Sequence, residues 1–112
     1  MKKLEAIIRP AKLGAVRDAL AREGVLGMTV SEVKGSGPGE ARTQCYRGVE
    51  YTVDFLPKIK VELVLDDHLA ERAAQIVRSN AHTGEPGDGS TLLLPVDAVI
   101  RIRTGQRGTK AM

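Results

Sequence analysis

Gly35–Pro57, GSGPGEARTQCYRGVEYTVDFLP, interrupts two segments of clean strand alternation with about twenty residues that show no clear period. A loop of that length in a compact domain is uncommon and is usually functional or disordered. Its base carries Gly35, Gly37 and Gly39 around Pro38, so the backbone there has access to shapes that most residues cannot take. Beyond the base lie Glu40, Arg42, Arg47 and Glu50, then Tyr51, then an apolar anchor of Val53, Phe55 and Leu56. Read as an exposed arm on a small rigid body, the stretch decides the fold, because it leaves two similar halves on either side.

The C-terminal half opens with the clearest strand in the chain. In Lys58–Leu65, Ile59, Val61, Leu63 and Leu65 share one face, while Lys60, Glu62 and Val64 share the other. Asp66 and Asp67 follow as N-cap candidates. A helix then runs to about Ala81 with Leu69, Ala73, Ile76 and Val77 on one stripe. His82–Ser90, HTGEPGDGS, is a second glycine-bearing loop. Thr91–Leu94 and Ala98–Arg103 are read as short strands, the last strand being split around Pro95 and Asp97, and a polar tail follows over about 103–112.

The N-terminal half repeats the pattern. Leu4, Ala6 and Ile8 alternate with Lys3, Glu5, Ile7 and Arg9. Pro10 ends that strand and opens a helix over Ala11–Glu23, where Leu13, Val16, Ala19 and Leu20 form the apolar stripe. Gly24 is a natural stop, and Val25–Lys34 returns to alternation. The order is β-α-β, loop, β-α-β. It predicts a single α+β domain over 1–112 of the ferredoxin-like βαββαβ kind, an antiparallel sheet with both helices on one face. The other face would carry Ile7, Thr29, Val33, Val64 and Val99, apolar enough to want a cover. A symmetric oligomer of the chain is the simplest one.

Composition narrows the classes. The net charge of +3 suits a partner that is a small anion and is too weak to argue for nucleic acid. One Phe, two Tyr and no Trp leave little to stack on bases, which also argues against an RNA-binding module of this architecture. One cysteine, Cys45, excludes an internal disulfide and fits a reducing compartment. MKKLEAIIRP lacks the features of a signal peptide and no apolar run is long enough to span a membrane, so a cytoplasmic location is expected.

Three features converge on an anion. They are the glycine-rich base at 35–39, the Gly87-Asp88-Gly89 turn, and Arg101 with Arg103, two residues apart on one predicted strand face. Glycine turns can aim backbone N–H groups at a phosphate, and arginines add charge-assisted contacts. Each has a plainer reading as a turn or a solvated face. No catalytic or metal set stands out: His68 and His82 have no second ligand at suitable spacing. Cys45 between Arg42 and Arg47 reads better as an exposed thiol than as a reactive one. Tyr51 is either an anchor on Phe55 or an acceptor for modification.

At MKKLEAIIRPAKL, GMTVSEVKG, YRGVEY, VDFLPKIKVEL, TGEPGDG and VIRIRTG the chain resembles the PII signal-transduction proteins of nitrogen regulation, from residue 1 to about 105. The resemblance implies a cytoplasmic homotrimer without metabolic catalysis. It implies ATP or ADP between subunits, with AMP a further candidate, and 2-oxoglutarate held through Mg-ATP. It also implies a long T-loop, about 36–56, that presses on a protein target such as a membrane transporter, an enzyme or a regulator. By position, Thr29, Gly35, Gly37, Pro38, Gly39 and Val64 would surround the nucleotide. Gly87, Asp88, Gly89 and Ser90, in a B-loop of about 82–90, would meet its phosphates with Arg101 and Arg103. Leu56 and Lys58 would lie at the 2-oxoglutarate position, and Tyr51 matches a tyrosine that is nucleotidylated in some bacteria.

The chain departs from that pattern at the sensing side chains. The glutamine that reaches magnesium is Gly39, the basic residue before it Pro38, the phosphate-gripping lysine Ser90, and another loop lysine Glu85. Glu62, left without that lysine, is expected to repel phosphate. Val49 excludes a serine switch inside the YRGxEY motif. Losing one charge-assisted contact costs roughly 1.5–3 kcal/mol, about ten- to a hundredfold in affinity. Weaker ATP binding and little or no 2-oxoglutarate response follow, as for a divergent member that senses another anion such as bicarbonate or serves a neighbouring transporter.

Overall fold

A computed structural model of the chain describes residues 1–37, 42–46, 48–53 and 55–108. Four strands form one antiparallel sheet in the order β2-β5-β1-β6: β1 Lys2–Ile8, β2 Thr29–Gly35, β5 Leu56–Leu65 and β6 Ser90–Pro95. β3 Arg42–Tyr46 and β4 Val49–Val53 pair separately. Helices α1 Leu13–Arg22 and α2 Asp67–Ala81 cover one sheet face, which gives the ferredoxin-like α+β arrangement. Among the described residues no helix is long and apolar enough to cross a membrane.

The alternation sorts the sheet as expected. Leu4, Ala6 and Ile8 of β1 and Val61 and Leu63 of β5 are buried beneath the helices. They meet Val16 and Leu20 of α1 and Ala73 and Val77 of α2. Pro10 opens a single 3-10 turn, Pro10–Lys12, before α1. α1 stops at a Schellman motif. The Gly24 N–H reaches the Ala21 carbonyl at 3.0 Å, and the Val25 N–H reaches that of Leu20 at 3.0 Å. Gly24 takes the required left-handed φ of 84°. At the start of α2, Asp66 is the N-cap but makes no side-chain cap bond, while Asp67 pairs with the N-terminal amine at 2.9 Å.

Three expectations need correction. The arm is not aperiodic throughout, because Tyr46 pairs with Val49 across a two-residue connection and Gly48 sits at φ 78°. Ala98–Arg103 is not a strand. The chain turns back on itself there: Ile100 bridges Arg107, the Arg101 N–H donates to the Gln106 carbonyl at 2.9 Å, and the Gly105 N–H donates to the Arg101 carbonyl at 2.7 Å. Arg101 therefore opens a turn and Arg103 lies within it, and the two do not share a strand face. The face opposite the helices is more mixed than expected: Ile7, Thr29, Val33 and Val64 lie on it with Leu92 and Leu94, but Lys3, Glu5, Lys60 and Glu62 occupy its middle.

Candidate functional site

The site grows from the loop after α2. His82–Gly89 must turn from the helix end into β6 within a few residues, and Gly84, Gly87 and Gly89 do so at φ 90°, 101° and 93°. At Gly89 no other residue fits, because a Cβ would lie 1.7 Å from the Ile7 carbonyl oxygen of β1. The turn residue is thus seated directly on the central strand.

Asp88 organises the rest. Its Oδ2 accepts from the Thr83 N–H at 2.8 Å and the Gly84 N–H at 2.9 Å. Its Oδ1 accepts from the Thr83 hydroxyl and from Arg9 Nε, the latter at 3.2 Å. The Thr83 hydroxyl bond, then the two backbone bonds, hold its pKa well below the ordinary carboxylate range. Arg9 Nη2 also donates to the Pro86 carbonyl at 2.8 Å, and Lys58 Nζ donates to that of Gly87 at 2.6 Å. Lys58 is 5 % exposed, with its amine on the loop rather than in water. The Asp88 carboxylate faces inward, so the loop can offer an anion its backbone N–H groups, with Asp88 as their scaffold.

A cleft of about 730 Å³ lies between this loop and the end of β2. It gathers six of the expected residues: Gly35, Lys58, Gly87, Asp88, Gly89 and Ser90. Lys34 and Lys60 add positive charge and Glu85 adds negative charge. A second cleft of about 590 Å³ holds Thr29 and Val64, with Leu26, Glu62 and Val99. Thr29 and Gly35 are six residues apart on β2, about 20 Å at strand rise, so one chain does not bring the two groups together. Arg101 and Arg103 line neither cleft. Leu56 starts β5 opposite Gly35, and Tyr51 lies on β4 opposite Gln44. Gly37 follows the end of β2, while Pro38 and Gly39 lie outside the described residues, as do Glu40 and Arg47. Among the described residues no group of three or more His, Cys, Asp or Glu is placed to hold a metal.

Glu62 does not stand alone against an incoming phosphate, which corrects the expectation for it. Glu5 and Glu62 are direct cross-strand partners, a like-charge contact that is unfavourable by itself. Two lysines clamp it. Lys3 Nζ is 2.7 Å from Glu62 and 3.5 Å from Glu5; Lys60 Nζ is 3.1 Å from Glu5 and 3.6 Å from Glu62. The hydrogen bond from Lys3 lowers the Glu62 pKa, the bond to Glu62 raises that of Lys3, and the bond to Glu5 raises that of Lys60. A lowered carboxylate pKa stabilises above its ordinary 4.5 and is lost as pH falls through the folded value. A raised lysine pKa stabilises below its ordinary 10.5 and is lost as pH rises through the folded value. The cluster should contribute fully between those limits. Urea unfolding from about pH 6 to about pH 3 should therefore show a smaller loss of stability in Glu62→Gln than in the unsubstituted chain. Equal acid sensitivity would show that the cluster carries no such linkage.

Sequence reasoning missed Arg9, Thr83 and Lys34. The strand register held the signal for Arg9: Ile7 pairs with Ser90, so the residue two beyond Ile7 must come level with the 86–88 turn.

Comparison with known proteins identifies the family. The family described as Nitrogen regulatory protein P-II matches residues 1–106. The chain is 52% identical to the Nitrogen regulatory protein P-II of Azospirillum brasilense over 112 residues, covering all of both chains. It is 53% identical to that of Nostoc punctiforme and 51% identical to that of Rhodospirillum rubrum, again over the full length of each. The chain therefore belongs to the nitrogen regulatory P-II family of signal-transduction proteins.

Proposed function

We propose that this P-II family member is a cytoplasmic homotrimer that binds an adenine nucleotide, ATP or ADP with AMP a further candidate, between adjacent copies. The observation that carries the reading is the division of the expected site. Gly35, Lys58 and the 87–90 loop lie in one cleft and Thr29 and Val64 in another, with Thr29 about 20 Å from Gly35 along β2. A nucleotide touching both groups needs the first cleft of one copy against the second cleft of its neighbour. Arg101 and Arg103, on a turn beyond Val99, would close on the phosphates from there. The protein acts without catalysis: segment 36–56 contacts a protein target, a transporter, enzyme or regulator of nitrogen metabolism, and Tyr51 is its candidate for modification.

Magnesium and 2-oxoglutarate are expected to add little, since Gly39 supplies no side-chain oxygen to a hard cation. Leu56 and Lys58 remain as an anion position. Glu85 on the cleft favours a second reading, in which the body answers to a smaller anion such as bicarbonate and the segment serves a membrane transporter.

Calorimetric titration of the purified chain with ATP, ADP and AMP, each with and without magnesium and 2-oxoglutarate, together with mass by light scattering, tests both. The expected result is a trimer that binds nucleotide with no enhancement by 2-oxoglutarate. Micromolar 2-oxoglutarate binding with Mg-ATP would overturn the reading of Gly39. A trimer without nucleotide binding would favour the small anion.

A further inference from the structure

We propose that Arg9 is a positioning residue for the anion-binding face of the 83–89 loop, acting through Pro86 and Asp88 without touching the ligand; this rests on the nucleotide reading above.

Arg9 stands at a rigid corner. It leaves β1 in an extended conformation, φ −66° and ψ 140°, and is followed by Pro10. Its carbonyl accepts the Lys12 N–H at 3.0 Å. From that fixed base the guanidinium forks, with Nε on Asp88 Oδ1 at 3.2 Å and Nη2 on the Pro86 carbonyl at 2.8 Å. Its charge is thereby matched by the Asp88 carboxylate, and Arg9 is not among the residues lining the 730 Å³ cleft.

Its effect is on the orientation of the peptide. Across a trans peptide the C=O and the following N–H point to opposite sides. Drawing the Pro86 carbonyl onto Arg9 turns the Gly87 N–H away from it, and Gly87 borders the cleft while Arg9 does not. Without the fork, a segment with Gly84, Gly87 and Gly89 regains conformations that the bound anion must then exclude. Lysine is a poor substitute, because a compact ammonium cannot reproduce a planar fork.

The test uses the full chain and Arg9→Ala, Arg9→Lys, Asp88→Asn and the Arg9→Ala/Asp88→Asn double variant. Calorimetry with ADP is expected to give roughly ten- to a hundredfold weaker binding for Arg9→Ala, with Arg9→Lys between it and the unsubstituted chain. The double variant should lose less than the sum of the two single variants, since each single change already breaks the shared Arg9–Asp88 bond. It retains the net charge of the unsubstituted chain, so its affinity should keep the same dependence on salt, as no ligand contact has been lost. Amide exchange should quicken at 84–89, with the helices unchanged. Unaltered ADP affinity in Arg9→Ala, additive losses, or a flattened salt dependence in the double variant would each overturn the proposal. If the unsubstituted chain binds no ADP, the nucleotide reading fails separately and amide exchange decides: quickening confined to 84–89 in Arg9→Ala supports the role, and unchanged protection overturns it.

Discussion

Gly89→Ala is expected to displace the 83–89 loop and to weaken nucleotide binding by at least about a hundredfold. The methyl would sit 1.7 Å from the Ile7 carbonyl oxygen and 2.7 Å from its carbon. Neither neighbour can yield, because both belong to the backbone of β1, the strand paired on both sides by β5 and β6. The residue also holds φ 93°, which a side chain resists by itself. Gly84→Ala is the control. It shares the positive φ of 90°, but its nearest neighbour is His82 Cε1 at 3.9 Å, so it should cost only the backbone strain of about 1–2 kcal/mol. ADP titration of both variants checks the contrast, with far-ultraviolet circular dichroism to confirm that the helices persist. Equal losses would mean that conformation alone, and not the seat on β1, fixes the loop.

Leu4→Ala is expected to destabilise the body by about 2–5 kcal/mol. Leu4 is 0% exposed and pairs across the sheet with Leu63 on one side and Leu93 on the other, with the helices above. Its neighbours belong to a paired sheet, so they can close only part of the space left. For a chain of this size the unfolding midpoint should fall by roughly 10–30 °C. Urea unfolding should show a lower midpoint with an unchanged slope. A thermal shift below about 5 °C would mean that the site collapses around the smaller residue. Since β1 also carries Ile7 and Arg9 to the loop, the variant should bind ligand almost normally while folded and lose binding together with its fold.

What the sequence made legible was the body. β1, β5 and both helices could be read because each buries one face, and burial writes a period of two or of 3.6 into the residues. The Gly87-Asp88-Gly89 turn was legible for a different reason, since glycines mark backbone that other residues cannot follow, whereas Gly35 proved to be an ordinary strand residue at the end of β2. The β3–β4 hairpin was missed although Val49, Tyr51 and Val53 alternate with Glu50 and Thr52. Its strands are only five residues each and its alternation is weak beside the glycines and charges that flank it. The strand expected at Ala98–Arg103 failed the opposite way. Val99, Arg101 and Arg103 alternate with Ile100 and Ile102, but the chain turns back from Arg101 to Gly105, which sits at φ 71°. The Arg9–Asp88 pair was hidden because its members are 79 residues apart and meet only once β1 and β6 are in register. The inward turn of the Asp88 carboxylate likewise depends on three-dimensional bonds that residue types do not announce.

The two clefts at opposite ends of one sheet face carry a consequence for stoichiometry. Any closed assembly that sets the first cleft of each chain against the second cleft of another contains as many complete sites as chains. Every chain then belongs to two sites at once, lending its loop to one ligand and its Thr29 end to another. If occupying one site tightened a chain that also forms half of the next, successive ligands would bind with unequal affinity, and the coupling would run through β2 and β5, the strands that connect the two ends.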